Sequence, residues 1–212
     1  MSKNRPDRSR ASLLVEVGTE ELPPASLVRL GEAFSRLLFS SLSSIGLCNQ
    51  TPRWFATPRR LAVLIPEVAF RQPDQVHEKR GPALSVAFDS AGQPTRAAEG
   101  FAKSCGVTVD KLRKVESDKG SWLVSTSRTS GERATALIPE CVTRALAELP
   151  IAKRMRWGAG RAEFVRPVHW FVIIQGKTTI KCEILGVNSG AFTYGHRFLS
   201  ETPIRISSAD SY

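Results

Sequence analysis

The chain has 212 residues, 42% hydrophobic and 24% charged, enough for one large domain or two small ones with a proper core. Thirty Lys and Arg against twenty Asp and Glu give a net charge of +10 and a pI of about 10.0, a surplus that favours polyanionic partners, nucleic acid or an acidic protein surface, ahead of membrane. No apolar run reaches the roughly 20 residues that a spanning helix needs. The opening MSKNRPDRSR is followed only by LLVEV, too short and too acidic for a signal core.

Residues 1–10 read as a disordered basic tail, with an RNA-touching arm as the alternative, and cytoplasm is the expected compartment. Leu13–Val17 then reads as a short, partly buried strand. In VEVGTEELPP, Glu20 and Glu21 lie between a glycine and a double proline. Successive side chains of an extended segment point to opposite sides, so the two carboxylates cannot flank one bond as a catalytic pair must. The prolines suit the first turn of a helix, which makes the motif a structural lead-in, one glutamate pairing with an arginine such as Arg59.

Leu27, Leu30, Phe34, Leu37, Leu38, Leu42 and Ile45 recur at helical spacing, and Gly46 stops that helix. Leu61–Ile65 is a second strand, ended by Pro66. From Glu67 to Arg96 the pattern loosens, with turn chemistry at Gly81-Pro82 and Asp89–Gly92. An inserted lobe is expected over about 67–157. Within it Thr95 caps a helix Arg96–Ser104 closed by Gly106, Asp118–Gly120 turns, and Trp122–Thr126 is a strand.

Ile138 to Leu149 forms a second amphipathic helix, stopped by Pro150. Val168–Ile174 is apolar on both faces, as a central strand should be. Gly176-Lys177 turns it into a strand around Thr178–Ile184, and Pro203–Ile206 begins another. The fold class expected is α+β, a mixed or antiparallel sheet with packed amphipathic helices in two sub-lobes. The end at Ser208–Tyr212, soon after a strand begins, reads as a truncation.

The chemistry-bearing residues are sparse. Cys48, Cys105, Cys141 and Cys182 are scattered, as are His77, His169 and His196, so no zinc or redox spacing exists and reduced thiols are expected. GxGxxG, GxxxxGK[ST] and GxSxG are absent. Two concentrations of arginine remain. In FATPRRL, Arg59 and Arg60 stand at the mouth of a strand, either contacting phosphate or forming a structural ion pair. In KRMRWGAGRAEFVR, Lys153, Arg154, Arg156, Arg161 and Arg166 oppose Glu163 alone, around Trp157. Such interleaving suits phosphates plus a stacked base; the alternative is a solvated face with the indole plugging the core edge. His196-Arg197 in GHRF is a weaker candidate, better read as a turn with a hydrogen-bonded histidine.

VEVGTEELPP, FATPRRLAV, KRGP with AFD, AAEGFAKSCGV, DKGSWL, PIAKRMRWG, FVRPVHW, EILGV and YGHRF follow one another in this chain. In that order they resemble the β subunit of the bacterial two-subunit glycyl-tRNA synthetase, from about Leu13 to the last residue. The family's subunit is longer, and its later HD-like and anticodon-binding domains have no counterpart here, so residues 11–212 resemble its N-terminal region. Ala159-Gly160-Arg161 departs from the family pattern.

The resemblance implies a segment that binds tRNA(Gly) and assembles with a catalytic α subunit in an α2β2 ligase. It implies no catalytic residue, metal or cofactor in this chain, ATP with Mg being used by the α subunit. It places Arg59, Arg60, Lys153, Arg154, Arg156, Trp157, His196 and Arg197 as candidates to touch tRNA or the α subunit. The competing reading is a free-standing, non-catalytic basic module that binds RNA or protein.

Overall fold

The computed structural model describes residues 9–117, 120–200 and 202–212. They form two compact units, one of residues up to Pro73 together with Glu132–Tyr212, the other of Asp74–Gly131. The second unit is narrower than the 67–157 stretch expected, because the helix after it joins the core of the first.

In the first unit, β1 (Arg10–Thr19) leads through a 3-10 turn at Pro24–Ser26 into α1 (Leu27–Ser44), followed by β2 (Arg53–Thr57) and β3 (Arg60–Ala69). The double proline does open the helix, as Pro24 occupies the first position of that turn. The amide of Leu47 closes α1 on the carbonyl of Leu42. Pro66 does not end β3. Across from Ser12 the register slips, so that Pro66 and Glu67 oppose one residue, and Glu67 takes a positive φ of 53°. A bulge removes the need for the amide that proline lacks, and the strand continues.

The second unit holds β4 (Gln75–Ala83), α2 (Leu84–Ala87), α3 (Arg96–Ser104), β5 (Arg113–Ser117) and β6 (Gly120–Thr129), with sheet order β4-β6-β5. Gly81-Pro82 is therefore no turn but a register slip inside β4. Asp89–Gly92 is a turn, Asp89 Oδ1 accepting from the amides of Ala91 and Gln93. Thr95 precedes α3 as expected, yet its hydroxyl donates to the Val86 carbonyl at 2.7 Å instead of capping the helix. Lys119 and Asp118 of the expected turn lie outside the described residues. Ala87, Ala98, Ala102, Leu112 and Leu123 make this unit's core.

The chain returns to the first unit through α4 (Ala134–Ala147), then β7 (Met155–Arg156), β8 (Glu163–Phe164), β9 (Val168–Gln175), β10 (Thr178–Thr179), β11 (Glu183–Ile184), β12 (Val187–Gly190), β13 (Phe192–Thr193) and β14 (Ile204–Arg205). The strand expected around Thr178–Ile184 is broken in two: β10 pairs with β9, whereas β11 turns through Leu185-Gly186 to pair with β12. Both turn residues have positive φ, 53° and 78°, the backbone of a tight two-residue hairpin.

The main sheet runs β11-β12-β9-β1-β3-β2, with β12 and β9 parallel and its other pairs antiparallel. Two-residue alternation gives β1 two buried faces. Leu13, Val15 and Val17 meet the helix side with Phe34, Leu38, Ile138 and Val142. Leu14 belongs to a second cluster with Trp170, Val172, Ile174 and Ile206. Glu16 shares Leu14's parity and is buried with no exposure at all. Among the described residues, no helix is long and apolar enough to cross a membrane.

Candidate functional site

Pairing brings the ends of three strands together. Gly18 of β1 stands opposite Arg60 of β3 on one side and Trp170 of β9 on the other. Gly18 is fixed by this approach, since a Cβ there would lie 1.9 Å from the Trp170 ring. With that space open, the indole reaches Glu16, and its Nε1 donates to Glu16 Oε1 at 2.6 Å. Thr193 Oγ1 donates to the same oxygen at 2.5 Å. Arg60 Nε sits 3.7 Å from Glu16 Oε2, and its Nη2 donates to the Tyr194 carbonyl.

Burying a carboxylate is costly unless hydrogen-bond donors and a positive group stand against it. Glu16 has both, supplied by three separate parts of the chain. Tyr212 packs against the same cluster. Burial first, and the negative charge of Glu16 next, push its phenol well above the ordinary range.

Arg59 lies at the rim. Its Nε donates to the Thr19 carbonyl at 3.3 Å, and its Nη2 is 3.8 Å from Glu20 Oε1. Glu20 also meets His169 Nε2 at 2.8 Å. The pairing of one glutamate with Arg59 is thus present, with a histidine as its closer partner. Glu21 is exposed, and its carbonyl accepts from Arg166 Nε at 3.0 Å.

His196 and Arg197 follow β13 and complete the corner. The His196 carbonyl accepts from the amides of Leu199 and Ser200, and its Nδ1 accepts from the Phe198 amide at 3.2 Å. This is a turn with a hydrogen-bonded histidine. A pocket of about 370 Å³ opens here, bordered by Arg59, Arg60, Trp170, Tyr194, Arg197 and Phe198. The sequence reading found its arginines and missed Glu16, Trp170, Tyr194 and Phe198. Phe198 belongs to the quoted GHRF stretch, and a lone glutamate inside LLVEV was the available sign of a buried charge.

The second basic segment is built differently. Arg156 Nη2 pairs with Glu163 at 2.8 Å across β7 and β8, both residues exposed. Arg154 Nη2 donates to the Ala147 carbonyl at 2.5 Å. Trp157 is half-buried against the main core. Lys153 is exposed on a recess of about 350 Å³ that also takes in Arg29, Arg166, Leu30 and Ile151. Arg29, on the outer face of α1, was not singled out from the sequence. Among the described residues, no group of three or more His, Cys, Asp or Glu is placed to hold a metal ion.

Comparison with known proteins gives this geometry a context. The family model described as glycyl-tRNA synthetase beta subunit matches residues 13–212. The glycine–tRNA ligase beta subunit of Hahella chejuensis (strain KCTC 2396) is 53% identical over 199 residues, which is 94% of this chain and 29% of the relative. That of Escherichia coli O8 (strain IAI1) is 47% identical over 204 residues, covering 96% of this chain and 30% of the relative. The chain spans about three tenths of the length of the curated relatives it matches.

Proposed function

We propose, because this chain belongs to the glycyl-tRNA synthetase beta subunit family, that it is a segment of a glycine–tRNA ligase that holds tRNA and docks on a catalytic α subunit. The reaction served is the ATP-dependent attachment of glycine to tRNA(Gly), in the cytoplasm, within an α2β2 assembly. ATP and Mg act on the α subunit, and this chain alone forms no glycyl-tRNA.

The match over residues 13–212 carries the reading. The basic surface supports it, since +10 on 212 residues suits a polyanion. The disposition of the carboxylates supports it too. Glu16 is buried and tied to Trp170, Thr193 and Arg60, and Glu20 is engaged by His169 and Arg59, so both carboxylates hold structure together and are not paired across one open site. A free-standing module is the weaker reading, because the similarity covers nearly the whole chain and not an isolated patch.

The test uses the complete two-subunit ligase with Lys153→Glu and Arg197→Glu, both at exposed positions. The expected result is a rise of about tenfold in KM for tRNA, little change in kcat and a shallower salt dependence of tRNA binding. An unchanged KM for tRNA with weakened association of the two subunits would reassign this surface to the α subunit. Charging by the present chain alone would refute the division of labour.

A further inference from the structure

We propose that the pocket between Arg59, Tyr194, Arg197 and Phe198 takes one unpaired nucleotide of the bound RNA, its base against the aromatic rings and its phosphate on Arg197. This rests on the tRNA-binding reading above and sharpens it to a chemical contact.

Charge decides what kind of ligand fits. Arg60 is compensated by buried Glu16, and Arg59 stands beside Glu20. Arg197 makes no ion pair among the described residues; its guanidinium lies 5.9 Å from the Phe198 ring. Glu21, exposed, also lines the pocket, so among the described residues the site offers one unpaired guanidinium beside one carboxylate, enough for one phosphate and not for several. A polyphosphate or a run of duplex backbone would meet two arginines whose charge is already balanced.

The apolar surface points to a base. Phe198 is 81% exposed and Tyr194 44% exposed, an unfavourable presentation to water that a stacked base relieves. Base faces stack on aromatic rings without regard to sequence, whereas base edges need hydrogen-bonding groups. The Tyr194 ring is itself supported by Trp170, centroids 4.9 Å apart. Trp170 is in turn locked by its bond to Glu16. The wall is therefore preorganised before RNA arrives, which lowers the ordering cost of binding. The pocket, about 370 Å³, falls in the range of roughly 300–1,000 Å³ typical of small-ligand sites. A base in an A-form duplex is stacked on both faces and cannot enter, so the nucleotide comes from a single-stranded end, loop or bulge.

The experiment compares two fluorescently labelled single-stranded RNA oligonucleotides on the complete ligase, identical in phosphate number, one with an abasic central residue. Ultraviolet crosslinking of the intact oligonucleotide, mapped by mass spectrometry, reports whether the residue 192–200 segment is touched. Crosslinks in that segment are expected with the wild-type enzyme. Phe198→Ala and Tyr194→Ala, both at exposed positions, are each expected to weaken the intact oligonucleotide about tenfold and the abasic one less than twofold. Arg197→Ala is expected to weaken both alike and to lower the log–log salt slope by about 0.7. Equal losses for the two oligonucleotides in the aromatic variants, no loss at all, or absence of crosslinks in the segment would overturn the proposal. Loss of α-subunit association with RNA binding intact would make the pocket a protein contact. Because oligonucleotide binding is read directly, the stacking claim can fail while the tRNA KM effect of Lys153→Glu and Arg197→Glu stands.

Discussion

The two arginine-rich stretches have similar composition and different structures. At the strand ends, Arg60 meets a carboxylate with no exposure, and that carboxylate also organises Trp170 and Thr193. Between Lys153 and Arg166, the guanidinium groups bond mostly to carbonyls, those of Ala147 and Glu21, or to exposed Glu163. In the first region the arginine completes a buried network. In the second it braces loops at the surface. Charge density along the chain does not separate these roles; depth of the partner does.

The largest test of that contrast is Glu16→Ala. It orphans the Trp170 indole N–H and the Thr193 hydroxyl and leaves Arg60 uncompensated. Breaking a buried pair by removing one member typically costs about 3–5 kcal/mol. Urea unfolding of the chain should show a loss of that order, and a loss below about 1 kcal/mol would mean Glu16 organises nothing. Next comes Gly18→Ala, which forces a methyl into the space of the Trp170 ring. Overpacking of this kind costs about 1–3 kcal/mol, and near-ultraviolet circular dichroism should report displacement of the indole.

A pH experiment gives a smaller effect. Burial chiefly, with Cys141 adding and Arg10 opposing, raises the Cys48 thiol from its ordinary 9.0 to about 11. A group raised in the fold stabilises fully below its unfolded value and loses that contribution as pH climbs through the folded one. Tyr212 shifts in the same direction. Melting temperature should therefore fall between pH 9 and 11, and Cys48→Ala should flatten part of that fall. The smallest effect is Arg156→Ala, which removes an exposed pair 2.8 Å long and should cost less than about 1 kcal/mol. A larger loss in thermal unfolding would erase the distinction between the two regions.

Much of the main unit was legible in the sequence. Strong periodicity identified α1 and α4, and its apolar run identified β9 as a central strand, whereas β1, expected as a short, partly buried strand over Leu13–Val17, runs over Arg10–Thr19 and is buried from Leu13 onward. β4 escaped because residues 75–80 are all exposed, so no alternation betrays it, and a Gly-Pro pair sits at its bulge. Pro66 misled for the same reason: a bulge tolerates a proline that a regular ladder rejects. At the site, Arg59 and Arg60 were visible as a local cluster. The Glu16 network was not, because Trp170 lies 154 positions away and Thr193 177. Only strand pairing brings them together, and no window along the chain contains that information.

The points where the chain leaves and rejoins the main unit have a consequence of their own. Arg71 and Arg133 form an antiparallel bridge, and the Gln72 amide donates to the Glu132 carbonyl at 2.8 Å. The main unit therefore holds both ends of the Asp74–Gly131 excursion shut with its own backbone. Closure entropy changes by only about 0.6 kcal/mol for each doubling or halving of a loop. The excursion behaves as a cassette: it can be exchanged for a short turn, lengthened, or replaced by another domain while the β1-β3-β9 register, and the corner built on it, stay in place.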